Sequence, residues 1–282
     1  MDARLFFGLQ PVGGGDVGGE HSRWRLTVRR DVATPNGFLF GGCGLGAGLA
    51  ALEAATGRPT VWASAQYLSY AAVGDVVDYE VVVVNAGRHV TQARAVARSG
   101  GREVLTVNAA LGVPHGTLRE TWVHRPDVLS PDRCPPRELP PRLAGSILDA
   151  VDVRVATGRS LSHLDGTPGS PNSAVWARVP GHREPSAAML AVFGDYVSGG
   201  ASQPFGRRTM GRSLDNTLRI VRLVPTEWVL CDIRMHAVFD DYAHGTAFLW
   251  SDDGILLAVA SQSVSVRFRP SDTSSDGGAP GG

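Results

Sequence analysis

The sequence predicts an α+β protein built as two copies of one plan, each a helix laid against an antiparallel sheet. A helical segment near the start is followed by four runs of strand character separated by short turn-like connections. The same order returns roughly 150 residues later, an offset of domain rather than solenoid scale. Between the two lies "PHGTLRETWVHRPDVLSPDRCPPRELPP", rich in proline and without periodicity, the composition of a linker that covers other elements. With 43% hydrophobic residues among 282, two modest cores are well supplied.

Each element has its local reason. After the polar, glycine-rich residues 13–20, "SRWRLTVRR" alternates like a strand. Residues 40–55 read as a helix, and Gly57 supplies its stop. Strand-like runs follow at 60–71, 76–85, 89–98 and 103–112, divided by "AVGD", "NAGRH" and "SGGRE". In the second unit "SAVWARV" is a strand, and residues 185–197 form a helix with Pro185 near its first turn. Strands are expected again at 213–223, 227–237, 245–251 and 255–268. "YLSYAAVGDVVDYEV" lines up with "TLRIVRLVPTEWVLCDI", and "SGGREVLTVNAALGV" with "SDDGILLAVASQSVSV". The boundaries that follow are a flexible N-terminus over 1–20, a first domain over 21–114, a linker over 115–146, a second domain over 147–270 and a disordered tail over 271–282. Two such sheets can join edge to edge, which removes one exposed edge from each.

The stretch "GFLFGGCGLGAGLAALEAATG" contains Gly42-x-Gly44-x-x-Ala47, a match to the glycine fingerprint of dinucleotide sites. That fingerprint needs a strand before it and a parallel crossover after it, whereas here hairpin-connected strands follow. Close packing is therefore the favoured reading: a helix nearly without side-chain bulk sits close inside a curved sheet, offsetting a cost of about 1 kcal/mol per glycine. One functional role survives, because the free amides of the first turn, around Gly42 and Cys43, are candidates for an oxyanion site.

Composition excludes several classes. A net charge of zero gives no footprint for nucleic acid or an anionic membrane. Cys43, Cys134 and Cys231 are scattered, without the spacing of a disulfide framework or a zinc site. No apolar run reaches a membrane span, and the apolar run at the start is too short for a signal peptide, so a cytoplasmic location is expected. His236 and His244 flank "AVFDDYA", but they fall where a hairpin turn is expected, and no metal site is assigned to them.

In the second unit, "FGDYVSGG", "RSLDNTLRIVR", "TEWVLCDI" and "DGILLAVASQSVSVR" occur in that order, and the first unit carries "LFGGCGLGAGLAALEAA". Together they resemble the acyl-CoA thioesterase II family, over most of the chain outside linker and tail. The resemblance implies a tandem, or double, hotdog fold in which the two domains pair as a pseudo-dimer. It also implies a polar trio that holds a water: an aspartate on the second helix, a threonine on the next strand and a glutamine on the last strand. Matched position by position, these fall on Asp195, Ser213 and Gln262, serine keeping the hydroxyl. Cys43 stands where the family's first helix has glutamine, and Asn216 where a histidine follows the strand aspartate. The resemblance also makes Asn36, in the loop before the first helix, a candidate for a substrate contact. Ala63 and Ala109 lie near where Ser213 and Gln262 would map in the first half, so one active site per chain is expected.

The implied chemistry is hydrolysis of an acyl-CoA thioester to free acid and coenzyme A, in lipid metabolism. It requires a positioned water, a base and donors for the developing oxyanion. Asp195 among apolar neighbours has the environment that raises a carboxylate pKa and suits it to the base's role. No cofactor is implied, since coenzyme A belongs to the substrate; its phosphates would call on arginine, of which the chain has many. Two other readings stand beside this one: an acyl-CoA binding protein with weak or lost catalysis, and an enoyl-CoA hydratase, whose acid and base loop is not visible. The outer sheet edges leave a homodimer or larger homo-oligomer open.

Overall fold

The computed structural model describes residues 2–13, 20–139 and 141–268. The first elements are α1 (Ala3–Phe7), β1 (Gln10–Pro11), β2 (His21–Thr27), α2 (Gly41–Thr56), β3 (Thr60–Tyr67), β4 (Val76–Ala86), β5 (Val90–Ser99) and β6 (Arg102–Gly112). After the proline-rich segment come α3 (Ile147–Ala150), β7 (Asp152–Thr157), β8 (Asn172–Arg178), α4 (Ala187–Gly194), α5 (Val197–Gly200) and α6 (Ser202–Phe205). The chain then continues as β9 (Thr209–Ser213), β10 (Asp215–Ile220), β11 (Val229–Phe239), β12 (Tyr242–Ser251) and β13 (Leu256–Phe268).

One antiparallel sheet unites them in the order β1-β2-β4-β5-β6-β3-β10-β13-β12-β11-β8-β7, with β9 branching from β13. Outward from the centre, β3, β6, β5, β4 and β2 on one side answer β10, β13, β12, β11 and β8 on the other. The duplication read from sequence is thus a twofold-like repeat joined through β3 and β10, where Thr217 pairs with Ser64 and Leu218 with Ala63. The expected edge-to-edge union is present, and the architecture is the tandem hotdog.

Both central helices are buried along almost their whole length, which explains why their sequences are apolar all round rather than on one face. The glycines of α2 serve two faces. A Cβ at Gly42 would lie 2.7 Å from the Ala191 carbonyl oxygen, and one at Gly46 2.5 Å from that of Ala188, so this face abuts the backbone of α4. A Cβ at Gly44 or Gly48 would meet Leu105 or Val107 on β6 instead. Close packing accounts for the glycine stretch, against the second helix as well as the sheet. Gly57, at φ 63°, ends α2 as expected.

Three expectations need correction. The first 20 residues were expected to be flexible, but α1 is capped by Asp2 and sends Phe7 into the core; residues 1 and 14–19 of that segment lie outside the described residues, as does the tail expected to be disordered. The helix expected over 185–197 stops at Gly194, where Tyr196 N–H bonds back three residues to Phe193 in a tightened last turn, and two short helices follow. The strand expected over 213–223 is broken at Leu214, so Ser213 ends β9 and Asp215 begins β10.

The proline-rich segment does two jobs. Its first part covers the outer face of the second half of the sheet, where Trp176 Nε1 donates to the Leu129 carbonyl and Cys134 packs near Trp250. Its end leads the chain back to the first half, where Ile147 N–H, at the start of α3, donates to the Ala33 carbonyl. Asp240 and Asp241, both at positive φ, form the two-residue turn between β11 and β12, and His236 and His244 beside it are exposed. Among the described residues, no helix is long and apolar enough to cross a membrane.

Candidate active site

β13 forks: residues 258–261 pair with β10, while residues 264–268 pair with β9. Gln262 sits at that fork, where neither partner strand covers it, facing the end of α4. Asp215 stabilises the branch by accepting from Ser263 N–H at 2.7 Å, a backbone role rather than one on the sheet face of Ser213.

The fork brings the three sequence-predicted residues together. Gln262 Nε2 donates to Asp195 Oδ1 and, at 2.9 Å, to Ser213 Oγ. Its Oε1 accepts from Ser198 N–H at 3.1 Å, which fixes the amide orientation, since the flipped form would set two acceptors face to face. Both donor hydrogens of Gln262 are therefore spent on its neighbours. Ser213, already accepting, keeps its own O–H to donate.

Asp195 is 2% exposed and closes α4. Its Oδ2 accepts from Gly42 N–H at 2.7 Å, and Asn216 Nδ2 reaches Oδ1 at 3.5 Å. Burial pushes its carboxyl up to about 6, against the opposing pull of the Gly42, Gln262 and Asn216 donors. Asn216, fully buried against Asp195, was marked by sequence reading only as a departure from the family pattern.

The oxyanion candidates separate. Gly42 N–H is engaged by Asp195, so the expected free amide at that position is not free. Cys43 is fully buried and its thiol is pushed well up by burial and then by the charge of Asp195, which makes it a small apolar filler. Asn36 is exposed and lines the mouth of a cleft of about 610 Å³ that also reaches Tyr67, Asp195 and Ser213, with Arg212 and Arg267 on its wall. Ala63 and Ala109 are buried cross-strand partners, and neither carries a polar side chain.

Tyr67 was not singled out from sequence. Its hydroxyl is buried and has no hydrogen-bond partner among the described residues, and it lines the same cleft. A methyl placed on Gly41 would touch both Asp195 Oδ2 at 2.9 Å and the Tyr67 hydroxyl at 3.1 Å, so the two groups flank one point. Burial, then the charge of Asp195, holds the phenol well above its ordinary value and keeps it protonated. Only its place on the strand that meets β10 could have revealed it, and that pairing crosses the two halves.

The family description of the acyl-CoA thioesterase N-terminal domain matches residues 29–112, and that of the C-terminal domain matches residues 131–266. The chain belongs to the acyl-CoA thioesterase family. It is a thioester hydrolase. Among solved structures, a candidate thioesterase from Novosphingobium aromaticivorans DSM 12444 is similar at 32% identity and TM-score 0.78, covering 90% of this chain and 97% of that one. A hot dog protein of unknown function from Alicyclobacillus acidocaldarius aligns at 20% identity and TM-score 0.78, over 92% of this chain and 96% of its own. An acyl-CoA thioesterase II from Mycobacterium marinum aligns at 19% identity and TM-score 0.72, over 95% and 99%. The last two show the fold. No curated protein matches the sequence.

Proposed function

We propose that this thioesterase hydrolyses an acyl-CoA to free acid and coenzyme A without an acyl-enzyme intermediate, by a water lodged between Asp195 and Ser213. The observation that carries this reading is the convergence of Asp195, Ser213 and Gln262 on one another, with Asp195 and Ser213 lining the cleft. Ser213 donates to one lone pair of the water, the water donates to Asp195, and its other lone pair is left for the thioester carbon. As the C–O bond forms, Asp195 takes the proton and negative charge grows on the carbonyl oxygen. The C–S bond then breaks and the departing thiolate takes the proton back from Asp195. Tyr67, a protonated donor beside Asp195, meets the carbonyl oxygen as charge develops on it.

Gln262 acts as a positioning residue, because its hydrogens hold Asp195 and Ser213 rather than water. Asn36, Arg212 and Arg267 give the cleft a polar wall suited to the coenzyme A arm and its phosphates. A cytoplasmic enzyme of lipid metabolism is the setting consistent with the substrate. Closed or larger assemblies would use the outer edges at β1 and β7. The test is thiol release from a panel of acyl-CoAs by wild type and Asp195→Asn. Hydrolysis that collapses in the variant supports the reading, and equal hydrolysis by both overturns the assignment of the base.

A further inference from the structure

The hairpin β11–β12 ends in an aromatic and acidic tip. Phe239 and Tyr242 form its last cross-strand pair, 78% and 49% exposed, around the turn residues Asp240 and Asp241. Both aspartates are held at positive φ, 47° and 63°, where glycine or asparagine is the usual occupant of such a turn. Neither carboxylate accepts a hydrogen bond or forms an ion pair among the described residues. His236 and His244 turn instead to the Thr246 and Ser263 hydroxyls, and Arg267 lines the cleft. Large exposed rings beside two unpartnered charges, on a turn whose backbone favours smaller residues, mark a recognition surface.

The counterpart hairpin of the first half, β4–β5, carries the complement. Val61 and Val90 each bring a methyl to 3.6 Å from where a Cβ on Gly112 would stand, and Val113 N–H bonds to the His89 carbonyl. Three valines, all at least 38% exposed, therefore adjoin one another. Their rim is basic. Arg58 grips the tip by donating to the Gly87 and Arg88 carbonyls, the exposed His89 and His115 rings stack at 4.5 Å, and the exposed Arg88 side chain has no partner among the described residues. No carboxylate pairs with any of these groups among the described residues. Because β3 runs antiparallel to β10, counterpart hairpins turn at opposite ends of the sheet, and the two tips of one chain do not reach each other.

We infer that the acidic, aromatic tip docks on the basic, valine-centred tip of a second copy of this chain. A twofold axis that forms the contact once forms it again in reverse, so a dimer holds two. The repetition decides whether the area suffices. Two rings and the surface they cover come to on the order of 600 Å² per contact, too little alone, whereas the pair reaches on the order of 1,200 Å², the lower end of stable interfaces. Phe239 and Tyr242 cover the valines, while Asp240 and Asp241 meet Arg88 and the two histidines at the rim. The outer edges at β1 and β7 stay free for a larger assembly.

Sedimentation of the full chain between about 1 and 100 μM reads the association, whose Kd is expected in the micromolar range for so small an interface. Arg88→Glu, Asp241→Arg and Phe239→Ser are each expected to weaken it by about tenfold or more, and added salt to weaken it in the wild type. An equimolar mixture of Arg88→Glu and Asp241→Arg is the deciding sample. In the mixed dimer one contact is wild type and the other has both charges exchanged, so the mixture is expected to associate nearly as the wild type does while neither variant does alone. Thermal unfolding checks that each variant folds; should Asp241→Arg not fold, Asp240→Gly with Asp241→Gly suits the positive φ, removes both charges and should weaken association likewise. A wild type that stays monomeric at about 100 μM overturns the inference and leaves both surfaces to a different partner. A dimer unchanged by the single substitutions overturns it by placing the contact elsewhere, and a mixture that fails to regain association overturns the pairing of the two tips.

Discussion

The carboxylate of Asp195, which closes α4 in the second half, accepts a 2.7 Å hydrogen bond from the N–H of Gly42, at the start of α2 in the first. One bond therefore ties the proposed base to the contact that joins the two halves. The α2 and α4 backbones come close enough for it only because Gly42 and Gly46 carry no side chains on that face. Helix packing and base positioning are the same feature.

A methyl group at Gly42 should separate them. Gly42→Ala places a Cβ 2.7 Å from the Ala191 carbonyl oxygen and 2.9 Å from Asp195 Cβ, where rigid backbone must move. We expect a net loss of about 1–3 kcal/mol in urea unfolding, larger than the helix-propensity gain of about 1 kcal/mol, with kcat falling further than stability alone explains. Gly44→Ala is the control, since its Cβ would meet the tip of Leu105 at 2.9 Å, a side chain able to turn aside. Its stability should stay within about 1 kcal/mol of wild type. Equal effects at the two positions would count against the backbone contact as the cause.

The pH profile should carry the signature of Asp195. With its carboxyl at about 6, kcat/KM rises as pH passes upward through about 6, because only the ionised form accepts the water proton. Stability moves the opposite way. The folded value lies above the ordinary aspartate value of 3.8, so the contribution of this group is fully present below about 3.8 and is lost as pH rises through about 6. The span corresponds to a few kcal/mol, on the order of 3. Asp195→Asn removes that dependence: relative to wild type it should gain stability between pH of about 4 and 7 while losing about 10²–10⁴ in kcat. Parallel stability profiles for the two proteins would refute the buried, raised carboxyl.

Much of this was legible in the sequence because it depends on local pattern. Period-two alternation fixed most strands, Gly57 marked the end of α2, and the doubled order of elements announced the two halves. The fork at Gln262 was not legible, since nothing in "RSLDNTLRI" says that Leu214 leaves the ladder; that break is set by β13 pairing with two strands in turn. The early end of α4 was hidden for a similar reason. Residues 195–197 favour helix as well as their neighbours do, and the bond from Gly42, 153 positions away, is a tertiary fact. Tyr67 was missed because it belongs to the site only through the junction of β3 with β10, and Asn216 was seen only as a departure because its contact with Asp195 is a tertiary one.

Tyr67→Phe tests the donor from the first half. The ring and its packing remain while the unpartnered hydroxyl is removed, so folding should be unaffected or slightly improved. If the hydroxyl meets the oxyanion, kcat falls by about 10²–10³ with KM little changed, the pattern of an interaction made in the transition state. A raised KM at constant kcat would instead make Tyr67 a ground-state contact for the coenzyme A arm.

Gln262 separates positioning from direct contact with the water. Gln262→Ala removes a hydrogen bond that favours the charged form of Asp195, so the acidic limb of the pH profile should move above about 6 while kcat drops, by about tenfold or more. Gln262→Glu should move the limb further, because two adjacent carboxyls resist joint ionisation and titrate as a pair. Rate measurements across pH, with thermal unfolding as a check on folding, read both effects. A fall in kcat with the limb unmoved in both variants would mean that Gln262 holds the water itself, and Asp195 would then owe its raised value to burial alone.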